Sequence, residues 1–331
     1  MSWINELKND PTYWLLEDSN PSVRFWALKD ILDLDPRQEE VLETQKSIMS
    51  SAEVTTILEN QNPEGFWVHR DNMYLPKYTA TTHQLLILAE LGAKRTHSVD
   101  KALEHIFEFQ RSSGHFLPEL PKTLKGINSR VYDGCCFDGN ILFYMIHFGH
   151  LNDERVQRLI DFIINTRDAE KRSWKCRSYP INPDKVFPAN CYMGACKVLK
   201  AFSIIPTNKR SSYLNEIIES EVENILENEV YRYLKDKNGS RKNKAGWMRF
   251  GFPLFYQSDV LEVLDTLTRI GIRDERMGAA INLVLDSQGD DGKWLLKNTF
   301  NGKMWVDIEE KNKPSKWITL RACRVLKRYF C

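Results

Sequence analysis

The sequence predicts an all-α protein in which pairs of helices repeat around a closed ring. Three observations carry that reading. A phrase of Gln, three residues, Gly, one residue and an aromatic occurs as Gln61-Asn-Pro-Glu-Gly65-Phe-Trp67, Gln110-Arg-Ser-Ser-Gly114-His-Phe116 and Gln288-Gly-Asp-Asp-Gly292-Lys-Trp294. A fixed phrase returning after dozens of residues marks repeat architecture. Apolar residues fall at helical spacing almost everywhere, and segments apolar all round alternate with segments apolar on one face. The apolar segments end in Gly92, Gly149 and Gly271, which suit a left-handed C-cap.

The elements follow in order. Residues 1–50 hold helical pairs, with Asn20-Pro21 as a helix start. They form an N-terminal helical extension packed on a ring that spans 51–331. Thr82 to Gly92 is apolar enough to be buried on most sides, and Val99 to Gln110 places Leu103, Ile106, Phe107 and Gln110 on one face. The same alternation predicts inner helices over Asn140–Phe148, Cys191–Ile205, Asp259–Ile270 and Ile318–Tyr329. Outer helices are predicted over Glu154–Thr166, Ser211–Glu227 and Glu275–Ser287. Gly149-His-Leu-Asn-Asp-Glu-Arg155 and Gly271-Ile-Arg-Asp-Glu-Arg276 share wording between units. In the repeated phrase, the Gln at an outer-helix end meets backbone groups that lack partners. The Gly permits a positive φ, and the aromatic packs back over the helix ends, so each copy acts as a brace.

Bulk properties bound the function. A chain of 331 residues with 42 % hydrophobic residues has a large core available. A net charge of +1 gives no reason to expect nucleic acid or an anionic membrane as partner. No run approaches the length of a membrane span. The start of the chain, Met1-Ser-Trp-Ile-Asn-Glu-Leu-Lys8, shows no secretory pattern. Seven cysteines then read as reduced thiols of a cytoplasmic protein.

Helical hairpins punctuated by Gln-x-x-x-Gly-x-aromatic resemble the QW motifs of squalene and oxidosqualene cyclases, and related repeats occur in the β-subunits of protein prenyltransferases. The resemblance covers roughly residues 50–331. It implies an (α/α) toroid, with inner and outer helix rings around a central apolar cavity and the N-terminal ends of the inner helices at its mouth. The Asp-x-Asp-Asp acid of the proton-initiated cyclases is absent. Asp33-Leu-Asp35-Pro36 lacks the last Asp, and Asp290-Asp291 belongs to a brace loop. Asp133-Gly134-Cys135 matches the Asp-x-Cys zinc ligands of the prenyltransferases, with Cys191 where those proteins carry a later His. The Gly-Cys-Gly-Glu-Gln motif of complement thioester domains is also absent.

The toroid reading turns the inner-helix starts into site candidates. Tyr78, Thr82, Asp138, Tyr192, Tyr256, Lys316 and Trp317 are expected to line the cavity, and His83, Asp133, Cys136 and Asp259 to do its chemistry. His83 reads either as a proton carrier near neutrality or as a helix-start side chain bonded to nearby backbone. Asp138 and Asp259 read as acids, ligands or helix N-terminal charges. Asp133, Cys135 and Cys191 read as zinc ligands, while the cysteines read equally as small buried hydrophobes. The run Lys235 to Lys244 reads as a solvated loop or a phosphate-recruiting lid. The expected function is prenyltransferase- or terpene-cyclase-like binding of an isoprenoid or similar apolar substrate. The alternative is a non-catalytic lipid- or peptide-binding toroid. Zinc is the cofactor in view.

Overall fold

The computed structural model describes residues 3–120, 134–174, 191–235 and 238–331. The N-terminal part carries α1 (Thr12–Leu15), α2 (Pro21–Asp30), α3 (Glu39–Met49) and α4 (Ala52–Glu59). Two helix pairs follow, α5 (Thr81–Leu91) with α6 (His97–Phe107) and α7 (Cys135–His147) with α8 (Glu154–Asn165). Then come α9 (Tyr192–Ser203) with α10 (Ser212–Glu227), α11 (Val260–Arg269) with α12 (Gly278–Asp286), and α13 (Lys316–Phe330). One short antiparallel pair, β1 (Leu234–Lys235) and β2 (Arg241–Lys242), interrupts them. The protein is an (α/α) toroid, as its sequence predicts.

Burial separates the rings. Nearly every residue of α5 is buried, and α7, α9, α11 and α13 are buried over most of their length. By contrast α8 buries only Val156, Leu159, Ile160, Ile163 and Ile164, a single stripe at helical spacing. Neighbouring inner helices pack in the order α5, α7, α9, α11, α13, and α13 then meets α2. Trp26 of α2 donates its indole N–H to the Glu90 carbonyl at the end of α5, so the ring of contacts closes through α2. The sequence places the start of the second inner helix at Asn140; it begins at Cys135, because Gly134 at φ 127° turns the chain into it.

The repeated phrase works between units. Gln61 Nε2 donates to the Gly65 carbonyl of its own loop and to the Ser98 carbonyl of the next outer segment. Gln110 does the same with Gly114 and Arg155, and Gln288 with Gly292 and Asn9. Each glycine has positive φ, and a Cβ there would meet neighbouring backbone at 2.6 Å or less, at Lys101, Arg158 or Asn9. Only glycine permits that approach. Trp67 and Trp294 hang their indole N–H groups on the preceding outer helix, at Ile57 and Val284. Their own backbone N–H groups donate to Thr81 and Thr319, at the start of the inner helices. Each brace therefore ties an outer helix, the following inner helix and the next unit together.

A buried ion network joins the inner helices. Lys197 and Lys200 of α9 both meet Glu262 of α11, and Lys200 also meets Glu90 of α5. Arg321 meets Glu90, and Arg324 meets Asp30. Burial opposes ionisation of Glu90 and Glu262, but the adjacent Lys and Arg charges outweigh it and hold both at about 2. A paired network is stable in a low-dielectric interior only because each charge has its partners.

Candidate functional site

A cavity of about 420 Å³ lies at the N-terminal ends of α5, α7 and α9. Its floor comes from the inner helices, through Thr82, His83, Leu86, Phe137 and Asn140. Its walls come from the loops that lead into those helices. Asn72, Tyr74, Leu75 and Lys77 line one side, and Phe255 and Tyr256 the other. The lining is dominated by apolar and aromatic groups, and the volume falls in the range of small-molecule sites.

Aromatic rings enclose His83. Its imidazole lies 5.0 Å from the Tyr74 ring, 5.7 Å from Tyr78 and 5.1 Å from Phe255. Tyr78 stacks on Phe300 at 4.4 Å, and Tyr74 meets Phe137 edge-on. Tyr78 sits at φ 74°, a strained position for a bulky residue; Gln84 fixes it by donating to its carbonyl. His83 is 3 % exposed. Burial, helped by the Lys77 charge and only partly opposed by the Ala80 backbone, pushes it down to about 3. It is therefore neutral at physiological pH, and its Nδ1 forms no well-made hydrogen bond in the protein. Lys77 spans the mouth with its ammonium 5.4 Å from the Tyr256 ring and 5.9 Å from that of Tyr74.

The sequence-predicted residues divide. His83, Thr82, Tyr256, Cys136 and Cys191 line this cavity, and Tyr78 backs it through His83 and Phe255. Thr82 Oγ1 also reaches the Tyr144 hydroxyl at 3.3 Å. Asp138 is turned away, and its carboxylate accepts the Phe116 backbone N–H. It serves the second brace as Thr81 and Thr319 serve the others. Tyr192 is stacked on Tyr233 and donates to the Val230 carbonyl. Asp259 caps α11, accepting from the Gly251 and Glu262 backbone N–H groups. Burial raises it to about 6 against the pull of Arg321 and those N–H groups. It borders a separate cavity of about 180 Å³ beside Lys244 and Arg249. Lys316 pairs with Glu17, and Trp317 stacks on Phe252 at 4.1 Å. Neither reaches the aromatic cavity.

Of the three residues expected to ligate zinc, Asp133 lies outside the described residues. Cys135 and Cys191 converge on Gly194, where a Cβ would fall 2.1 Å and 3.1 Å from their sulfurs. Among the described residues no group of three or more His, Cys, Asp or Glu side chains is placed to hold a metal ion.

Sequence reasoning missed the loop residues Tyr74, Lys77 and Phe255. A signal was there: Met73-Tyr-Leu-Pro-Lys-Tyr78 and Gly251-Phe-Pro-Leu-Phe-Tyr256 are two aromatic, Pro-containing runs placed just before inner helices. Aromatics in a loop need a surface to cover.

No known protein family matches the chain, and no curated protein matches it. Solved structures do. An unsaturated glucuronyl hydrolase specific for heparin is 11 % identical over 96 % of this chain and 86 % of its own, with a TM-score of 0.50. A protein from Actinoplanes is 9 % identical over 94 % of this chain and 90 % of its own, with a TM-score of 0.45. The type II terpene cyclase MstE from Scytonema is 12 % identical over 93 % of this chain and 87 % of its own, with a TM-score of 0.44. At these identities the likeness is one of fold. No helix of the described residues is long and apolar enough to cross a membrane.

Proposed function

We propose that this toroid binds an isoprenoid or similarly apolar small molecule in the aromatic cavity at the N-terminal ends of its inner helices. The observation that carries the reading is the set of Tyr74, Tyr78 and Phe255 rings around a buried, neutral His83, with Phe137 against Tyr74. Such a wall rewards apolar surface and leaves a few polar contacts, His83 among them, to orient a ligand. His83 then serves as a hydrogen-bonding contact. An imidazole held at about 3 is a weak base and carries almost no proton to give at neutral pH.

The head group follows from the rim. Among the described lining residues Lys77 is the only cation, and the carboxylate of Glu119 shares the wall, bound by Asn72. Lys77 and Glu119 offer the head group of a ligand a donor and an acceptor. A prenyltransferase- or cyclase-like reaction on that ligand is compatible with this lining, and binding without catalysis is the alternative.

The test is calorimetric titration with farnesol, farnesoic acid and farnesyl diphosphate. Saturable binding of at least one of the three is expected. Leu86→Trp, which fills the cavity floor, is expected to abolish binding without unfolding the ring. No saturable binding below about 100 µM for any of the three, or binding unchanged in Leu86→Trp, would remove the proposal.

A further inference from the structure

We propose that the opposite end of the ring holds a site for a small oxyanion. At the C-terminal halves of the inner helices a second cavity of about 230 Å³ opens beside the axial ion network. It is remote from the aromatic cavity. Along α5, His83 lines the first and Glu90 the second, seven residues or roughly 10 Å apart.

Two buried guanidinium groups each keep a nitrogen without a hydrogen-bond partner. Arg321 and Arg324 line this cavity and are 3 % and 5 % exposed. Arg321 Nη1 and Arg324 Nη2 have no hydrogen-bond partner in the protein. A buried guanidinium N–H left unmet is costly, and folded proteins meet such groups with protein, water or a ligand.

The carboxylates nearest these groups are already paired with other cations. Glu90 has one oxygen on Lys200 and the other on Arg321. Glu262 holds Lys197 and Lys200. Asp265 holds Arg328 and Arg269, and Asp30 holds Arg324 and Arg328. Four carboxylates thus face six cations. Adding Asp259, which acts on Arg321 through space, still leaves the cations in excess. Lys29 beside Arg324 raises the excess again. A positive, partly enclosed pocket with unmet guanidinium N–H groups matches the geometry of an oxyanion, which accepts several such bonds at once. The cavity has room for one phosphate- or sulfate-sized ion with water around it.

Inorganic phosphate, sulfate and acetate, titrated separately in chloride buffer at constant ionic strength, provide the test. Calorimetry is expected to show saturable binding of one ion per chain. Phosphate and sulfate ahead of acetate would identify a tetrahedral ligand, and the reverse order a carboxylate. Thr266→Glu, which places a carboxylate in the cavity wall, is expected to abolish binding and to raise the thermal midpoint without added anion. Arg269→Gln, at an exposed position on the cavity edge, is expected to weaken binding at least tenfold while the fold is retained. If Thr266→Glu does not fold, Arg269→Gln decides alone. Absence of saturable binding up to about 50 mM of all three ions would overturn the inference, as would binding unchanged in Arg269→Gln.

Discussion

Removing the side chain of Gln288 should open the ring at its seam. Gln288 is 3 % exposed and closes the last brace on the beginning of the chain. Its Oε1 accepts the Lys8 backbone N–H at 2.8 Å, and its Nε2 donates to Asn9 and Gly292 carbonyls at 3.0 Å each. Gln288→Ala deletes all three bonds and leaves their backbone partners unmet. At 0.5–1.5 kcal/mol per bond the loss is about 2–4 kcal/mol. For a chain of 331 residues the unfolding entropy near the midpoint is about 0.7 kcal/mol per degree, so the midpoint should fall by roughly 3–6 °C. Gln61→Ala is the internal comparison. It removes two bonds at a less buried position, for roughly 1–2 kcal/mol. Denaturant unfolding followed by circular dichroism gives the two costs. Hydrogen exchange gives the location, because Gln288→Ala should accelerate exchange at Lys8 and across α1 while Gln61→Ala leaves them protected. A Gln288→Ala cost no larger than that of Gln61→Ala, with Lys8 still protected, would refute the idea that this brace closes the ring.

The packing of α7 on α9 gives a second expectation. A Cβ on Gly139 would lie 2.9 Å from the Lys197 carbonyl carbon and the Val198 nitrogen, so Gly139→Ala should cost about 1–3 kcal/mol. Gly246→Ala, with nothing within 4 Å, should change stability by less than about 0.5 kcal/mol in the same denaturant series. The axial carboxylates predict an acid limit. Glu90 and Glu262 are held at about 2 against an ordinary 4.5. A depressed carboxylate stabilises above its unfolded value and loses that contribution as pH falls through the folded one. Stability should therefore decline between pH 4.5 and 2, with a slope approaching about 2.7 kcal/mol per pH unit if both protonate together. Glu262→Gln should flatten that slope in urea titrations. Lys197→Met, which leaves Glu262 with Lys200 alone, should destabilise by about 3–5 kcal/mol. Lys197→Met combined with Glu262→Leu should recover a large part of that cost, and equal losses in the single and double variants would contradict the pairing.

The ring was legible because its instructions are local and repeated. A Gln, a Gly and an aromatic at fixed spacing can be recognised in any copy, and helical periodicity marks the buried faces of α8 and α10 without tertiary information. His83, Thr82 and Cys136 were within reach for the same reason, since helix starts in a toroid share one end. What the sequence hides is the partner of each charge. Lys197, Lys200, Glu262, Arg321 and Arg324 sit within helices that are buried over most of their length. Their pairing joins residues from α5, α9, α11 and α13, and no spacing along one helix reveals that. Asp259 shows the opposite error. Its position before an apolar run suggested a cavity acid, whereas two backbone N–H groups hold it as a cap.

The charged axis also constrains the aromatic cavity. An apolar axis would let a long hydrocarbon ligand pass from one end of the ring toward the other. Here Thr82 is engaged with Tyr144 beneath the cavity floor, and the Glu262, Lys197, Lys200 and Glu90 cluster lies beyond it. Driving hydrocarbon into that cluster would strip partners from buried charges at several kcal/mol each. The apolar ligand proposed for this cavity would therefore be confined to the about 420 Å³ lined by Lys77, Tyr256 and their neighbours.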